Sequence, residues 1–184
     1  SKNFDLKTKN FFMKFTVIGH ACLYVEYKNI RLLIDPWIIG SCYWRSWWNY
    51  PEVTEDLISY VNPTHIYITH LHWDHYHGPS LRKVQKYRPE IIFPKHFNKR
   101  MVGDCIKDFN FRKITEIDHG KAHKIGDDFK VEADFLIDGI EILRVLPKRD
   151  ERKGQETIEV LGSGNENYGV TTQLVKKKKG KKIW

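Results

Sequence analysis

The sequence predicts a layered α/β domain, and three observations carry that expectation. Short runs rich in β-branched and aromatic residues recur at 14–18, 22–27, 30–34, 64–70 and 90–93, the composition of buried strands. From residue 54 onward these runs alternate with segments that carry helix-start signals. With 184 residues, 41% of them hydrophobic and 14% aromatic, the chain can bury a core of one domain's size. Strands alternating with helices are the signature of α/β layering.

The elements follow in order. KFTVI, CLYVEY and IRLLI read as three strands punctuated by Gly19 and by Lys28-Asn29, the last two forming a hairpin. The following segment, DPWIIGSCYWRSWWNYP, is too aromatic and too irregular for a plain strand or helix. Residues 54–61 predict a short helix, with Thr54 as N-cap and Glu55 and Asp56 in the first turn. THIYITH (64–70) is a strand, 80–87 a helix after Gly78-Pro79, and 90–93 a buried strand. A helix over 98–109, an extended piece at 112–117, a Gly-Asp-Asp turn leading into a strand near 131, and a core-patterned segment at 140–145 complete the series. From Lys148 the chain turns polar and loses periodicity. A domain at 13–147 is therefore expected, followed by a weakly structured basic segment at 148–184 with one strand near 157–161.

Composition narrows the function classes. No apolar run approaches the roughly 20 residues of a membrane helix, and the opening stretch has no secretory h-region. Cys22, Cys42 and Cys105 are an odd number without CxxC spacing, which predicts buried thiols in a reducing, cytoplasmic setting. The net charge of +8 resides in the tail. KKKKGKKIW at 176–184 holds six lysines, and without them the balance is 8 − 6 = +2. Such a run reads as a solvated tail, with RNA or anionic lipid as the functional alternative. No oligomeric state is legible.

The informative segment is His70-Leu71-His72-Trp73-Asp74-His75. His70 and His72, two apart at the end of a strand, leave on one face, and Asp74 and His75 fall in the turn before the next helix. Imidazoles and a carboxylate converging on a strand-to-helix loop suit Zn, Fe or Mn. The alternative is a His-rich surface loop.

HLHWDH resembles the metal signature of the metallo-β-lactamase-fold superfamily. Upstream, GHACLYVEYKNIRLLIDPW resembles that fold's opening strands, where a GHA turn and a strand ending in Asp precede the ligand loop. DPWIIGSCYWRSWW is similar to a subgroup that includes lactonase-like hydrolases and the metal-binding part of CMP-N-acetylneuraminate hydroxylase. The resemblance implies an αββα sandwich, incomplete or divergent after about residue 131, with one or two metals at the sheet edge. His70 and His72 would hold the first cation, and Asp74 and His75 the second. Asp35 would orient a ligand from beneath. His20 would either line the cleft or be a satisfied turn residue. A metal-held water would have its pKa lowered towards about 7, with Asp74 accepting its proton. The family also uses a further His for the first metal, a bridging Asp and a last His. His119 and His123 are candidates for the first of these and Asp138 for the bridge, while the last His has no candidate; His96 reads as a helix-entry residue and His77 as facing solvent.

The aromatic stretch after Asp35 is either packing at the sheet edge or a loop gripping a ring. Under the second reading Trp47 and Trp48 provide the grip and Arg45 meets an acidic group on a small-molecule substrate. The leading expectation is a zinc hydrolase of a small ester, lactone or phosphoester. A non-haem iron oxygenase is the alternative, and a non-catalytic or nucleic-acid-binding remnant a third.

Overall fold

A computed structural model describes residues 3–8, 11–95, 99–127, 129–135, 140–147, 157–163 and 173–177. The chain divides into two units, Ser1–Glu116 and Ile117–Trp184.

The first unit begins with two antiparallel strands, β1 (Asn3–Thr8) and β2 (Phe11–Val17). A tight turn at Gly19 leads into the hairpin of β3 (Leu23–Tyr27) and β4 (Ile30–Ile34), closed by Lys28 at a left-handed φ of 53°. After β4 comes a two-stranded ribbon, β5 (Ser41–Cys42) and β6 (Trp47–Trp48), around a 3-10 turn at Tyr43–Arg45. Helix α1 (Glu55–Tyr60) starts where expected, with Thr54 Oγ1 accepting from the Leu57 amide at 3.4 Å. Strand β7 (His65–Tyr67) is shorter than the seven residues expected, so His70 and His72 lie in the loop beyond it. Then come α2 (Gly78–Val84), β8 (Glu90–Pro94), α3 (Arg100–Asp108) and β9 (Lys113–Ile117).

One sheet takes the order β1-β2-β3-β4-β7-β8-β9, antiparallel through β4 and parallel from β4 to β8. The parallel strands explain the unbroken apolar runs in the sequence: Leu32, Leu33 and Ile34 are all fully buried, as they must be in a strand covered on both faces. Leu33, Ile66 and Ile91 share a core with Ile58 of α1, Leu81 and Val84 of α2, and Met101 and Cys105 of α3. Spacing of i, i+4 turns Met101 and Cys105 to the same side of α3. All three cysteines are free and buried, as the sequence predicts.

The second unit is an antiparallel sheet in the order β10-β11-β12-β13-β14. Its strands are β10 (Ala122–Lys124), β11 (Phe129–Phe135), β12 (Ile140–Pro147), β13 (Thr157–Ser163) and β14 (Gln173–Lys177). Three lie at or near expected positions. β13 runs two residues further than expected, and β14 enters the lysine run, a strand for which the sequence gives no signal. Among the described residues no helix is long and apolar enough to cross a membrane.

Candidate metal centre

Strands β4 and β7 are parallel neighbours, so their C-terminal ends open on one edge of the sheet, and there the motif residues gather. Asp35 follows β4 directly. Its amide donates to the Tyr67 carbonyl at 2.9 Å, and its φ of 46° turns the chain out of the strand. That left-handed conformation costs on the order of 1 kcal/mol for a residue with a Cβ, and Asp bears it better than most. The buried carboxylate is thereby aimed across at the end of β7. There it accepts from the Thr69 amide (2.8 Å, Oδ1), the Thr69 hydroxyl (2.8 Å, Oδ2) and His75 Nδ1 (2.7 Å, Oδ2).

This hub assigns the tautomers of two histidines. Thr69 Oγ1 spends its proton on Asp35, so at 2.9 Å from His70 Nδ1 it can only accept, and His70 carries its proton on Nδ1. His70 Nε2 is then a bare lone pair, 2.8 Å from His72 Nδ1, which donates to it. Burial, and secondarily the neighbouring His75, pull the His70 pKa down to about 4, so the ring is neutral at pH 7. His75 also spends Nδ1–H on Asp35. Burial pulls its pKa down, but the Asp35 and Asp74 carboxylates outweigh that and raise it to about 10.

Asp74 is buried and held from both oxygens. Tyr43 donates its hydroxyl to Oδ1 at 2.8 Å, while His20 Nε2 and His75 Nε2 stand 3.3 and 3.4 Å from Oδ2. Burial opposes its ionisation, but His20, His75 and Tyr43 together hold it well below the usual carboxylate range. The Tyr43 hydroxyl is pushed up, by burial first and then by Asp74. Both imidazole Nε2 atoms are buried and lack a hydrogen bond of adequate direction. Two nitrogens pressed on one carboxylate oxygen, with no well-aimed proton between, are what a cation would relieve.

Among the described residues, no three of these donors already stand around a common centre as a metal would need. The chemistry of the set does fit one: imidazoles at His70 and His72, an ionised carboxylate at Asp74, and the Nε2 of His75, with His70, His75 and Asp74 steadied from behind by Thr69, Asp35 and Tyr43 in turn.

The structure thus brings together His70, His72, Asp74, His75, Asp35 and His20. His119 and His123 lie in the second unit, at a turn and in β10. Asp138 and His96 lie outside the described residues. His77, which from sequence was expected to face solvent, is buried. It packs its ring between Ser80 Oγ (2.8 Å) and the Ser41 carbonyl (3.4 Å) at the start of α2.

The aromatic loop divides. Trp47 packs edge-on to His20 (6.2 Å) and against Tyr43 (5.0 Å), and Trp48 donates to the Arg45 carbonyl at 3.0 Å. Arg45 helps line a cavity of about 580 Å³ with Tyr43, Trp44, Trp73 and Arg100. Tyr43, Trp44 and Arg45, which help line it, hold consecutive left-handed φ values of 47°, 54° and 69°, a strained stretch of backbone. Sequence reasoning missed Thr69 and Tyr43. A Thr beside a His offers no pattern, and only the pairing of β4 with β7 reveals its partner.

A family described as "Beta-lactamase superfamily domain" matches residues 14–171. The chain belongs to the beta-lactamase superfamily. The match runs well past residue 131, where a shortening or alteration was expected. The inactive cytidine monophosphate-N-acetylneuraminic acid hydroxylase of Homo sapiens is 36% identical over 80 residues, 43% of this chain and 16% of that protein. The cytidine monophosphate-N-acetylneuraminic acid hydroxylase of Pongo pygmaeus is likewise 36% identical over 80 residues, 14% of its length. The chain thus spans about a seventh of these curated relatives, and the expected subgroup resemblance holds over that part. A solved structure described as a "putative metal-dependent hydrolase" from Parabacteroides distasonis aligns with a TM-score of 0.52 at 21% identity. That alignment covers 77% of this chain and 60% of that one. The fold is the metallo-β-lactamase-like α/β fold that the motifs imply.

Proposed function

We propose that this chain is the metal-carrying part of a metallo-hydrolase acting on a small ester, lactone or phosphoester. His70 and His72 hold one cation, Asp74 and His75 a second. The observation that carries this reading is the Asp35–Thr69 hub, which leaves the Nε2 atoms of His70 and His75 unprotonated towards the cleft once His75 gives up its charge. Zinc is the leading occupant, with iron or manganese as alternatives. A bound cation would supply Lewis acidity and bring the pKa of a water in its shell from 15.7 towards about 7.

The residues of the chain do the rest. Asp74, ionised at neutral pH, orients the attacking water and takes its proton as the new bond to the substrate forms. A carboxylate held this acidic keeps a proton only briefly, so it passes to the leaving oxygen as the old bond breaks. Tyr43 keeps Asp74 from rotating away. The cavity lined by Trp44, Trp73, Arg45 and Arg100 is of small-molecule size; Arg100 is paired there with Asp104 at 3.7 Å, and Arg45 favours an anionic substrate.

The test is metal content by mass spectrometry on protein purified without chelator, beside a His70→Ala/His72→Ala double variant. One or two equivalents are expected, with the one held by His70 and His72 lost in the variant. Less than about a tenth of an equivalent in both would overturn the reading. An iron-dependent oxygenase is the second reading, favoured because the curated relatives are named hydroxylases. Iron as the occupant, with dioxygen uptake in the presence of a reductant, would replace the hydrolase by it.

A further inference from the structure

We infer that His20 is a direct ligand of the second cation, completing a His20–Asp74–His75 set. This rests on the metal-site reading above and deepens it. The turn between β2 and β3 supplies the third donor.

That turn is built to aim His20. Ile18 donates its amide to the Cys22 carbonyl at 2.9 Å, which folds Gly19-His20-Ala21 outward. The His20 amide donates to Asn49 Oδ1 at 3.1 Å, and Asn49 Nδ2 donates to the Trp37 carbonyl at 3.1 Å, tying the turn to the chain that follows Asp35. Gly19 is needed for this approach: a Cβ there would lie 2.8 Å from Asn49 Oδ1. Trp37 and Trp47 then stand edge-on to the imidazole, at 5.7 and 6.2 Å, and fix its plane.

Oriented so, the ring ends with Nε2 buried and without a hydrogen bond, 3.3 Å from Asp74 Oδ2. His75 Nε2 is in the same condition, 3.4 Å from the same oxygen. A buried nitrogen without a well-aimed hydrogen bond is unfavourable, and here two face one ionised oxygen. Ligands at about 2.0–2.1 Å around a tetrahedral metal sit about 3.3–3.4 Å from one another, which is the spacing of both pairs. Coordination requires the three side chains to rearrange around a common centre, since among the described residues no three donors already stand around one. Two histidines and one carboxylate leave positions open for water or substrate.

The experiment uses the full chain labelled with ¹⁵N-histidine, with zinc added stepwise, beside His20→Ala and His20→Gln. In the wild type the His20 Nε2 resonance should move to the range of a metal-bound nitrogen. Dye competition should show the second equivalent bound at least tenfold more weakly in both variants, with the first unchanged. Gln keeps a hydrogen-bond donor towards Asp74. Recovery of wild-type affinity by His20→Gln would therefore reduce His20 to a positioning residue and overturn the inference. So would an unmoved His20 Nε2 signal in a zinc-loaded wild type, an observation that holds even if a variant misfolds. Metal uptake with wild-type affinity in both variants sinks this inference alone. No uptake by the wild type sinks the metal reading with it.

Discussion

Asp35→Asn tests the hub most directly, because it keeps the shape and removes only the charge and one acceptor. In the native arrangement three donors converge on the carboxylate at 2.7–2.8 Å, and the residue is buried, so water cannot substitute for a lost partner. Asn Oδ1 can still accept from the Thr69 amide, but its Nδ2 then faces the Thr69 hydroxyl and His75 Nδ1–H, donor against donor. Removing one partner of a buried charge pair costs about 3–5 kcal/mol, and the retained amide bond does not reduce that cost, since it exists in both proteins. To escape the clash, His75 must give up its Nδ1 proton and keep the one on Nε2, so it has no lone pair to offer beside Asp74. Loss of a partner that orients a ligand typically weakens metal binding 10- to 100-fold. Urea unfolding followed by circular dichroism reads the first quantity, and competition with a chelating dye the second. Stability within about 0.5 kcal/mol of wild type together with unchanged metal affinity would refute the hub, because surface-like tolerance is incompatible with three buried bonds to one carboxylate.

Metal uptake should release a proton from His75 at pH 7: affinity should rise about tenfold per pH unit and level off above about pH 10, as calorimetry in buffers of differing ionisation heat would show. The sign for stability is opposite. The folded His75 pKa lies above its unfolded value, so its contribution is complete below about pH 6.5 and is lost as pH rises through about 10, measurable as urea midpoints across that window. Tyr43→Phe removes the donor to Asp74 Oδ1 and should cost about 1–2 kcal/mol by urea unfolding. Gly19→Ala places a Cβ 2.8 Å from Asn49 Oδ1 and 3.3 Å from Val53 Cγ2, and should cost about 1–3 kcal/mol while weakening zinc binding through the displaced His20. Zinc at 100 times its dissociation constant should stabilise the wild type by about 2.7 kcal/mol in the same assay, reversibly with chelator, and should stabilise His70→Ala/His72→Ala less, because only the Asp74/His75 position remains.

Much of the first unit is legible in the sequence because its signals are local. IRLLI reads as a strand and is one, and Thr54 caps the helix it announces. Asp-Pro after a strand marks Asp35, and HLHWDH marks the ligand loop. Elements that depend on distant partners are not legible. β1 and β14 carry weak patterns and exist through pairing with β2 and β13. His77 reads as a surface histidine until Ser80 and the Ser41 carbonyl, from two separate elements, close over it. His20 is undecided from sequence for the same reason: what it touches belongs to residues 37, 47, 49 and 74.

The six-residue motif cannot, by itself, make a site. His70 and His75 are chemically identical side chains with ring centroids 4.1 Å apart, yet one is driven to a pKa of about 4 and the other to about 10. The difference lies in what stands behind each ring. His75 meets the Asp35 carboxylate directly, whereas His70 meets it through the Thr69 hydroxyl, which passes on the tautomer but little of the charge. His70 therefore offers its Nε2 to a cation without displacing a proton at neutral pH, whereas His75 must expel one. Two adjacent sites made from one motif acquire different pH dependence, so loading should be ordered, the first position filling at lower pH than the second. That ordering comes from Asp35 and Thr69, residues outside the motif that reach it only because β4 and β7 run parallel and end together.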